Sequence, residues 1–435
     1  MAASTTTLDE ADGKVVRRAA GALVVYGAAK ASVVAAPVFL STVLPFSQYG
    51  LVEYSLSIGQ MVSVALSLGM HGSVPYFLIK RRQSAYGAAF SLHVIAICLI
   101  CIAASLVAAV SGYPATRLVT LIAGIAVAQF VTTAKFQSAG RPMGSSLAEV
   151  CLYLILLGYA ALAVMGVLPR SVESLSATMT AYLVGVLIWN LVRFPWSVSR
   201  SRLWRTYRAS VRYGVTLLPA TFANVGLVSV GRTLIGVTGS LDQVAVYSLA
   251  YRLCVPLVAI HQFLTNFRFK RLYESTVREF ERYFAILTGL LFCGALCTIY
   301  LGPWVSAHVI GSPRMPGIGD RTGLFTLMSV AMISWSQLSL MELFMNREAR
   351  TLVQLPGLAL GCAVTLLSLV LPRWAGADPV DQVALFQGLG FVIAVFWQFR
   401  VSGVPRPRWP LARLLVACQA AVLVAVWLLT AMRRM

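Results

Sequence analysis

Long apolar runs fill most of this chain and constrain its fold more than any other feature. A run of about 20 apolar residues is long enough to cross a bilayer as an α-helix. Membrane strands are excluded, because the runs are too long and polar and apolar residues do not alternate along them. The sequence therefore predicts an all-α polytopic membrane protein. Its thirteen predicted spans lie near 20–43, 50–79, 86–110, 115–138, 145–168, 176–199, 213–237, 243–268, 283–308, 322–346, 351–371, 382–401 and 411–432.

Composition excludes several other classes of protein. Only 11% of the 435 residues are charged, against about a quarter in soluble domains. The formal net charge of +20 would suit a nucleic-acid partner, but the basic residues form short clusters between apolar runs. The eight cysteines lie inside apolar runs without the further ligands that a metal site needs. We therefore expect no nucleic acid, no metal and no cofactor, and we expect the basic clusters to contact membrane lipids.

A basic segment at 200–212 divides the chain into two similar halves. It holds five arginines and no acid. Short matches recur on either side of it, at Tyr26 and Tyr213, Tyr54 and Tyr247, and Lys80 and Lys270, with offsets of 187, 193 and 190 residues. The pattern predicts two six-helix lobes in a parallel pseudo-twofold repeat, followed by an extra carboxyl-terminal span. The predicted parts are a cytoplasmic tail (1–19), an N-lobe (20–199), a basic cytoplasmic linker (200–212), a C-lobe (213–401) and the extra span (402–435).

Loop charge predicts the orientation. Of the 35 Lys and Arg residues, 24 fall in one set of connections and 7 in the other. The richer set faces the cytoplasm under the positive-inside rule, so the amino terminus is predicted to be cytoplasmic. The last span would place Arg433 and Arg434 outside, which leaves twelve and thirteen spans both open.

Several segments resemble a known family. They are Tyr26–Lys30 through Pro37 to Leu44–Gly50, Leu68–Gly69, Gly140–Arg141, Leu217–Pro219 and Val246–Leu253. Together, roughly over residues 15–400, they resemble the polysaccharide-lipid flippases of the multidrug/oligosaccharidyl-lipid/polysaccharide exporter superfamily. The resemblance implies a carrier that moves an undecaprenyl-pyrophosphate-linked oligosaccharide across the cell inner membrane, for O-antigen or another surface polysaccharide. It also implies a polysaccharide polymerase and glycosyltransferases as pathway partners.

The sequence departs from that family at two places. Many members carry an acid beside the arginine of span seven, where this chain has Gly231 before Arg232. Many end span eight with Trp-x-Pro, where this chain has Phe267-Arg268-Phe269-Lys270. Both differences put ion coupling and lobe closure by the family's mechanism in doubt.

Three cations within the spans are candidate substrate-binding residues. Lys30 and Arg252 lie well inside predicted spans, and a charge at the centre of a span costs about 2.5–3.5 kcal/mol on insertion scales. Arg232 lies near the outer end of span seven. Acids at equal depth are missing from the predicted spans, so these cations suit a pyrophosphate group. Other interpretations stay open. Lys30 could snorkel or bond a helix carbonyl, Arg232 could snorkel, and Arg252 could pair with Glu53 or Asp242.

A structural ion pair is predicted between Lys135 and Glu149, which lie at similar depth on neighbouring spans. Two other functions were weighed. A cation-coupled multidrug exporter of the same superfamily would need a deep carboxylate, and a membrane polymerase or transferase of glycan assembly would need a large outer loop. The sequence has neither feature, nor a P-loop for ATP, so it favours a transporter and not an enzyme.

Overall fold

A computed structural model describes residues 5–80, 86–308, 321–347, 351–371, 378–402 and 410–432. Within these ranges it describes the side chains of most residues from Val24 onward. Every regular element in these ranges is helical. The α-helices are α1 (Thr5–Val43), α2 (Phe46–Ser67), α3 (Met70–Pro75), α4 (Tyr86–Val110), α5 (Pro114–Ser138), α6 (Pro142–Glu149), α7 (Cys151–Val164), α8 (Val172–Val192), α9 (Arg200–Thr238), α10 (Leu241–Glu274), α11 (Val277–His308), α12 (Thr322–Arg347), α13 (Leu355–Val370), α14 (Pro379–Val401) and α15 (Pro410–Met432).

The prediction of an all-α polytopic membrane protein is confirmed. Within the described ranges, eleven helices are long and apolar enough to cross a membrane, and the number rises to 13 if each of two bent helix pairs is one span. The bent pairs are α2 with α3, at 45°, and α6 with α7, at 64°. The predicted spans 50–79 and 145–168 are therefore broken rather than straight. The last helix, α15, is among the eleven.

Backbone conformation explains the first break. Leu68 and Gly69 both have positive φ, which ends α2 because L-residues rarely continue a helix from that region. Gly69 meets this demand without a Cβ, and Leu68 is the only non-glycine residue with positive φ in the described part of the chain. The chain then resumes as α3, which a π-helical turn at Tyr76–Lys80 extends.

Buried apolar side chains form two large clusters. One runs from Ala36 to Leu183 and also includes Ala245, and the other runs from Leu227 to Leu423. The division falls near the basic segment 200–212. We use "N-lobe" for residues 20–199 and "C-lobe" for residues 213–401 below. Helix α15 packs into the second cluster through Ala412, Val416 and Leu423.

The two lobes meet along α2, which packs against α9 and α10 of the C-lobe. One end of the bundle holds the α1–α2 and α9–α10 turns, and we call it the turn end. The other end is where α9 begins, and we call it the basic end. Near the turn end, Gly50 lies against the backbone of Leu241. Near the basic end, Gly69 lies against the backbone of Gly214. A Cβ on any of these three glycines would overlap the opposite backbone, so the close approach of the lobes requires glycine at each position.

The basic segment 200–212 is helical and forms the first turns of the 39-residue helix α9. It packs on the N-lobe, since His93 Nδ1 lies 3.2 Å from the Tyr207 hydroxyl. One residue past the segment, the ring of Tyr213 stacks on Tyr76 with centroids 4.5 Å apart. The segment is thus a docked helical extension rather than an extended linker.

Candidate functional site

A cavity of about 350 Å³ lies between the lobes. Its wall is formed by residues of α1, α2, α5, α6, α7, α9, α10 and α12. The polar and aromatic members of the lining are Lys30, Gln60, Gln129, Phe130, Glu149, Tyr153, Asn224, Arg232, Tyr251, Arg252, Gln262 and Trp335. The three cations predicted from the sequence therefore share one cavity.

Two of these cations are bound to a buried carboxylate. Arg252 donates from Nε to Glu53 Oε1 at 3.1 Å and from Nη2 to Glu53 Oε2 at 3.0 Å. Arg232 donates from Nη1 to Glu53 Oε2 at 3.0 Å. Glu53 is 0% exposed, Arg232 2% and Arg252 3%. We call these three residues the Glu53 cluster; it joins α2 of the N-lobe to α9 and α10 of the C-lobe.

The Glu53 cluster corrects the sequence prediction that the deep cations lack carboxylates. Glu53 lies near the start of α2, yet it is fully buried, because Arg232 and Arg252 of the other lobe pack against it. Of the two candidate partners for Arg252, the structure selects Glu53, since Asp242 is exposed in the first turn of α10. Arg232 does not reach the surface, so the snorkelling interpretation is wrong for it.

The two arginines differ in how much hydrogen-bonding capacity they retain. Arg252 uses Nε and Nη2 on Glu53, and its Nη1 donates to the Tyr153 hydroxyl at 3.3 Å. Arg232 has one hydrogen bond in the described part of the chain, and its buried Nε has no partner there. Its guanidinium also lies 4.8 Å from the centroid of the Tyr251 ring. A buried donor without a partner costs about 1–3 kcal/mol, so the Nε of Arg232 is held at a cost in this arrangement.

The neighbours of Gly231 explain a departure from the family pattern. A Cβ at this position would overlap the Tyr247 hydroxyl and Gln387 Oε1, which are hydrogen-bonded to each other. Gln387 is anchored by its Nε2, which donates to the Leu227 carbonyl at 2.8 Å. No space exists there for an acid beside Arg232. The carboxylate that neutralises this arginine comes instead from α2 of the other lobe.

The third cation, Lys30, is paired within the N-lobe. Its Nζ lies 2.7 Å from Glu149 Oε1, which joins the middle of α1 to the last residue of α6. The side chain of Lys30 is 12% exposed and that of Glu149 is 43% exposed. This pair replaces the predicted Lys135–Glu149 pair. Lys135 instead donates to Ser91 Oγ at 2.9 Å.

Uncharged polar side chains also line the cavity. Gln129 Nε2 donates to the Glu149 carbonyl, and Asn224 Nδ2 donates to Glu342 Oε2 at 3.1 Å. Gln60 and Gln262 add further amides, and Trp335 and Phe130 add aromatic surface. Sequence reasoning did not select these residues, since single amides and aromatic residues in apolar helices form no motif. Among the described residues, no group of three or more His, Cys, Asp or Glu could hold a metal ion.

No family model and no curated protein matches this sequence. The crystal structure of the eukaryotic MATE transporter AtDTX14 aligns with a TM-score of 0.40 and 10% sequence identity. The alignment covers 93% of this chain and 97% of that chain.

Proposed function

We propose that this protein is a transporter that moves a lipid-linked oligosaccharide across the membrane by alternating access of its two lobes. The observation that carries the proposal is the cavity between the lobes, which three cations line together with amides and aromatic rings. One of those cations, Arg232, retains a buried donor without a partner among the described residues. A pyrophosphate would supply acceptors to it, and sugars would bind amides and aromatic faces.

The charge of the cavity favours an anionic substrate. Lys30, Arg232 and Arg252 line the cavity with one carboxylate, Glu149, and the two arginines share a second carboxylate, Glu53, so these five groups are net positive. A guanidinium binds phosphate oxygens through a planar fork of donors, whereas a cationic drug would be repelled. Glu53 is the deep carboxylate that a cation exporter would need, but two arginines already neutralise it. This arrangement favours the lipid-linked oligosaccharide over the cationic drug.

The lobe interface supports alternating access. The Glu53 cluster and the close contacts of Gly50 with Leu241 and of Gly69 with Gly214 hold the two lobes together at α2, α9 and α10. The cavity lies beside this interface. Rocking of one lobe against the other would open the cavity first to one leaflet and then to the other. The sequence has no P-loop, so we propose that an ion gradient or downstream removal of product drives the cycle and that the protein is not an enzyme.

Orientation and partners complete the proposal. The loop asymmetry favours a multi-pass protein of the cell inner membrane with a cytoplasmic amino terminus. The substrate would then pass from the inner to the outer leaflet. An undecaprenyl pyrophosphate carrier, a polysaccharide polymerase and glycosyltransferases of the same pathway are the partners that the sequence resemblance implies.

The test measures glycan export per molecule of protein. Lys30→Gln should lower surface glycan, divided by membrane-inserted protein, at least about tenfold, since a hydrogen bond to a charged group contributes about 1.5–3 kcal/mol. Lys30→Arg should keep partial export because it keeps the charge. Lys135→Gln is the matched control, because Lys135 binds Ser91 and does not line the cavity.

Two results would reject the proposal. The first is a wild-type ratio of glycan to protein for Lys30→Gln. The second is export of a cationic dye by the wild-type protein, combined with no effect of the protein on surface glycan. The second result would support the multidrug exporter.

A further inference from the structure

The ion pairs that line the cavity differ in how easily they can open. The Glu53 cluster is fully buried, so separating it would leave charges without partners in an apolar setting. Glu149 is 43% exposed and has one cationic partner, Lys30, in the described part of the chain. A carboxylate with this exposure regains hydration when it leaves its partner. Among the three cavity cations, Lys30 is thus the one that can exchange its anion.

We propose that Glu149 is an internal counter-ion that occupies Lys30 until the anionic head group of the substrate displaces it. This inference rests on the proposed function and names Glu149 as the residue that sets the affinity and selectivity of loading. The carboxylate and a phosphate compete for the same ammonium group. A multiply charged pyrophosphate therefore displaces Glu149, whereas a weakly anionic lipid does not.

The structure contains a place for the displaced carboxylate. Glu149 also lines a second cavity of about 330 Å³ inside the N-lobe, with His71, Gln129, Phe130, Thr133 and Gln137. The buried Thr133 Oγ has no hydrogen-bond partner among the described residues. An unsatisfied hydroxyl beside this second cavity can donate to a carboxylate that rotates away from Lys30.

The position of Glu149 suits such a movement. It is the last residue of α6, directly before the 64° bend to α7 at Val150. Its backbone is held by Gln129, whose Nε2 donates to the Glu149 carbonyl. Gln129 thus binds the backbone at this point, and Glu149 lines both cavities. Exchange of partners then requires rotation of one side chain and no unfolding of a helix.

The experiment measures binding of farnesyl pyrophosphate to the full chain in detergent by isothermal titration calorimetry. Glu149→Gln keeps the shape of the side chain and removes the competing charge, so the dissociation constant should fall about fivefold. Discrimination against farnesyl monophosphate should weaken in the same variant. Thr133→Val should raise the dissociation constant, because the displaced carboxylate loses its donor. Glu173→Gln is the control, since Glu173 is an exposed acid on α8. It should change neither the dissociation constant for farnesyl pyrophosphate nor the discrimination against farnesyl monophosphate.

A double-mutant cycle separates competition from a structural effect. In the Lys30→Gln background, Glu149→Gln should leave the dissociation constant unchanged, because the ammonium group for which Glu149 and the phosphate compete has been removed. If the wild type binds farnesyl pyrophosphate and the single variant Glu149→Gln has the same or a higher dissociation constant than the wild type, the inference is overturned and the proposed function stays intact. Absence of binding by both the wild type and Glu149→Gln would overturn the proposed function as well. If Glu149→Gln binds farnesyl pyrophosphate and the wild type does not, the inference is supported.

Discussion

Glu53→Gln is the substitution whose effect the structure defines best. The Glu53 cluster holds two cations and one carboxylate, all at most 3% exposed, with a net charge of +1. The amide of glutamine has nearly the shape of the carboxylate but leaves two buried guanidinium groups side by side at a charge of +2. Removing one partner of a buried ion pair costs about 3–5 kcal/mol. Arg232 borders the cavity and can gain some hydration, so we expect about 3 kcal/mol, or roughly two orders of magnitude in the unfolding equilibrium.

The charge balance predicts how a second substitution behaves. Arg252→Gln leaves the neutral pair of Glu53 and Arg232, so it should destabilise the protein less than Glu53→Gln does. The double variant returns the cluster to +1 and should be more stable than Glu53→Gln alone. This non-additivity is the signature of direct charge coupling. A merely steric role for Glu53 would make the two losses add.

The assay is unfolding of the purified protein in mixed micelles with increasing denaturing detergent, followed by tryptophan fluorescence. Asp242→Asn is the matched control, since Asp242 is an exposed acid at the start of α10 and should contribute less than about 1 kcal/mol. The reasoning is refuted if Glu53→Gln unfolds at the wild-type denaturant concentration, or if the double variant is less stable than Glu53→Gln.

Two further predictions concern packing and topology. Gly214→Ala should lower the stability and the amount of folded protein in the membrane, because its methyl group would overlap the Leu68 carbonyl. Gly158→Ala is the control, since Gly158 has open space around it and the substitution should change neither quantity. Equal amounts of the two variants in the membrane would contradict the packing argument. In a variant without the eight native cysteines, Ser201→Cys should react only with thiol reagents that enter the cytoplasm and Ser312→Cys with impermeant reagents from outside, whereas outside labelling at position 201 would reverse the predicted orientation.

The length and polarity of the apolar runs were enough to predict the class of fold. A helix satisfies its own backbone hydrogen bonds, so a run of about 20 apolar residues specifies a membrane span without reference to its neighbours. This is why the sequence predicted thirteen spans, and why the last of them recurs as α15. The depth of Lys30, Arg232 and Arg252 likewise depends only on their positions along a run, and the three residues do line one cavity.

Which charges meet could be decided only by the tertiary structure. Glu53 pairs with Arg232 and Arg252 across 179 and 199 residues of sequence, and Lys30 with Glu149 across 119. The depth of a residue within a span says nothing about which way its side chain faces, and that direction depends on helix rotation and on breaks such as the bend after α6. The predicted Lys135–Glu149 pair was wrong for this reason. The sequence placed the charges in the membrane, and the packing of the two lobes determined which of them pair with one another.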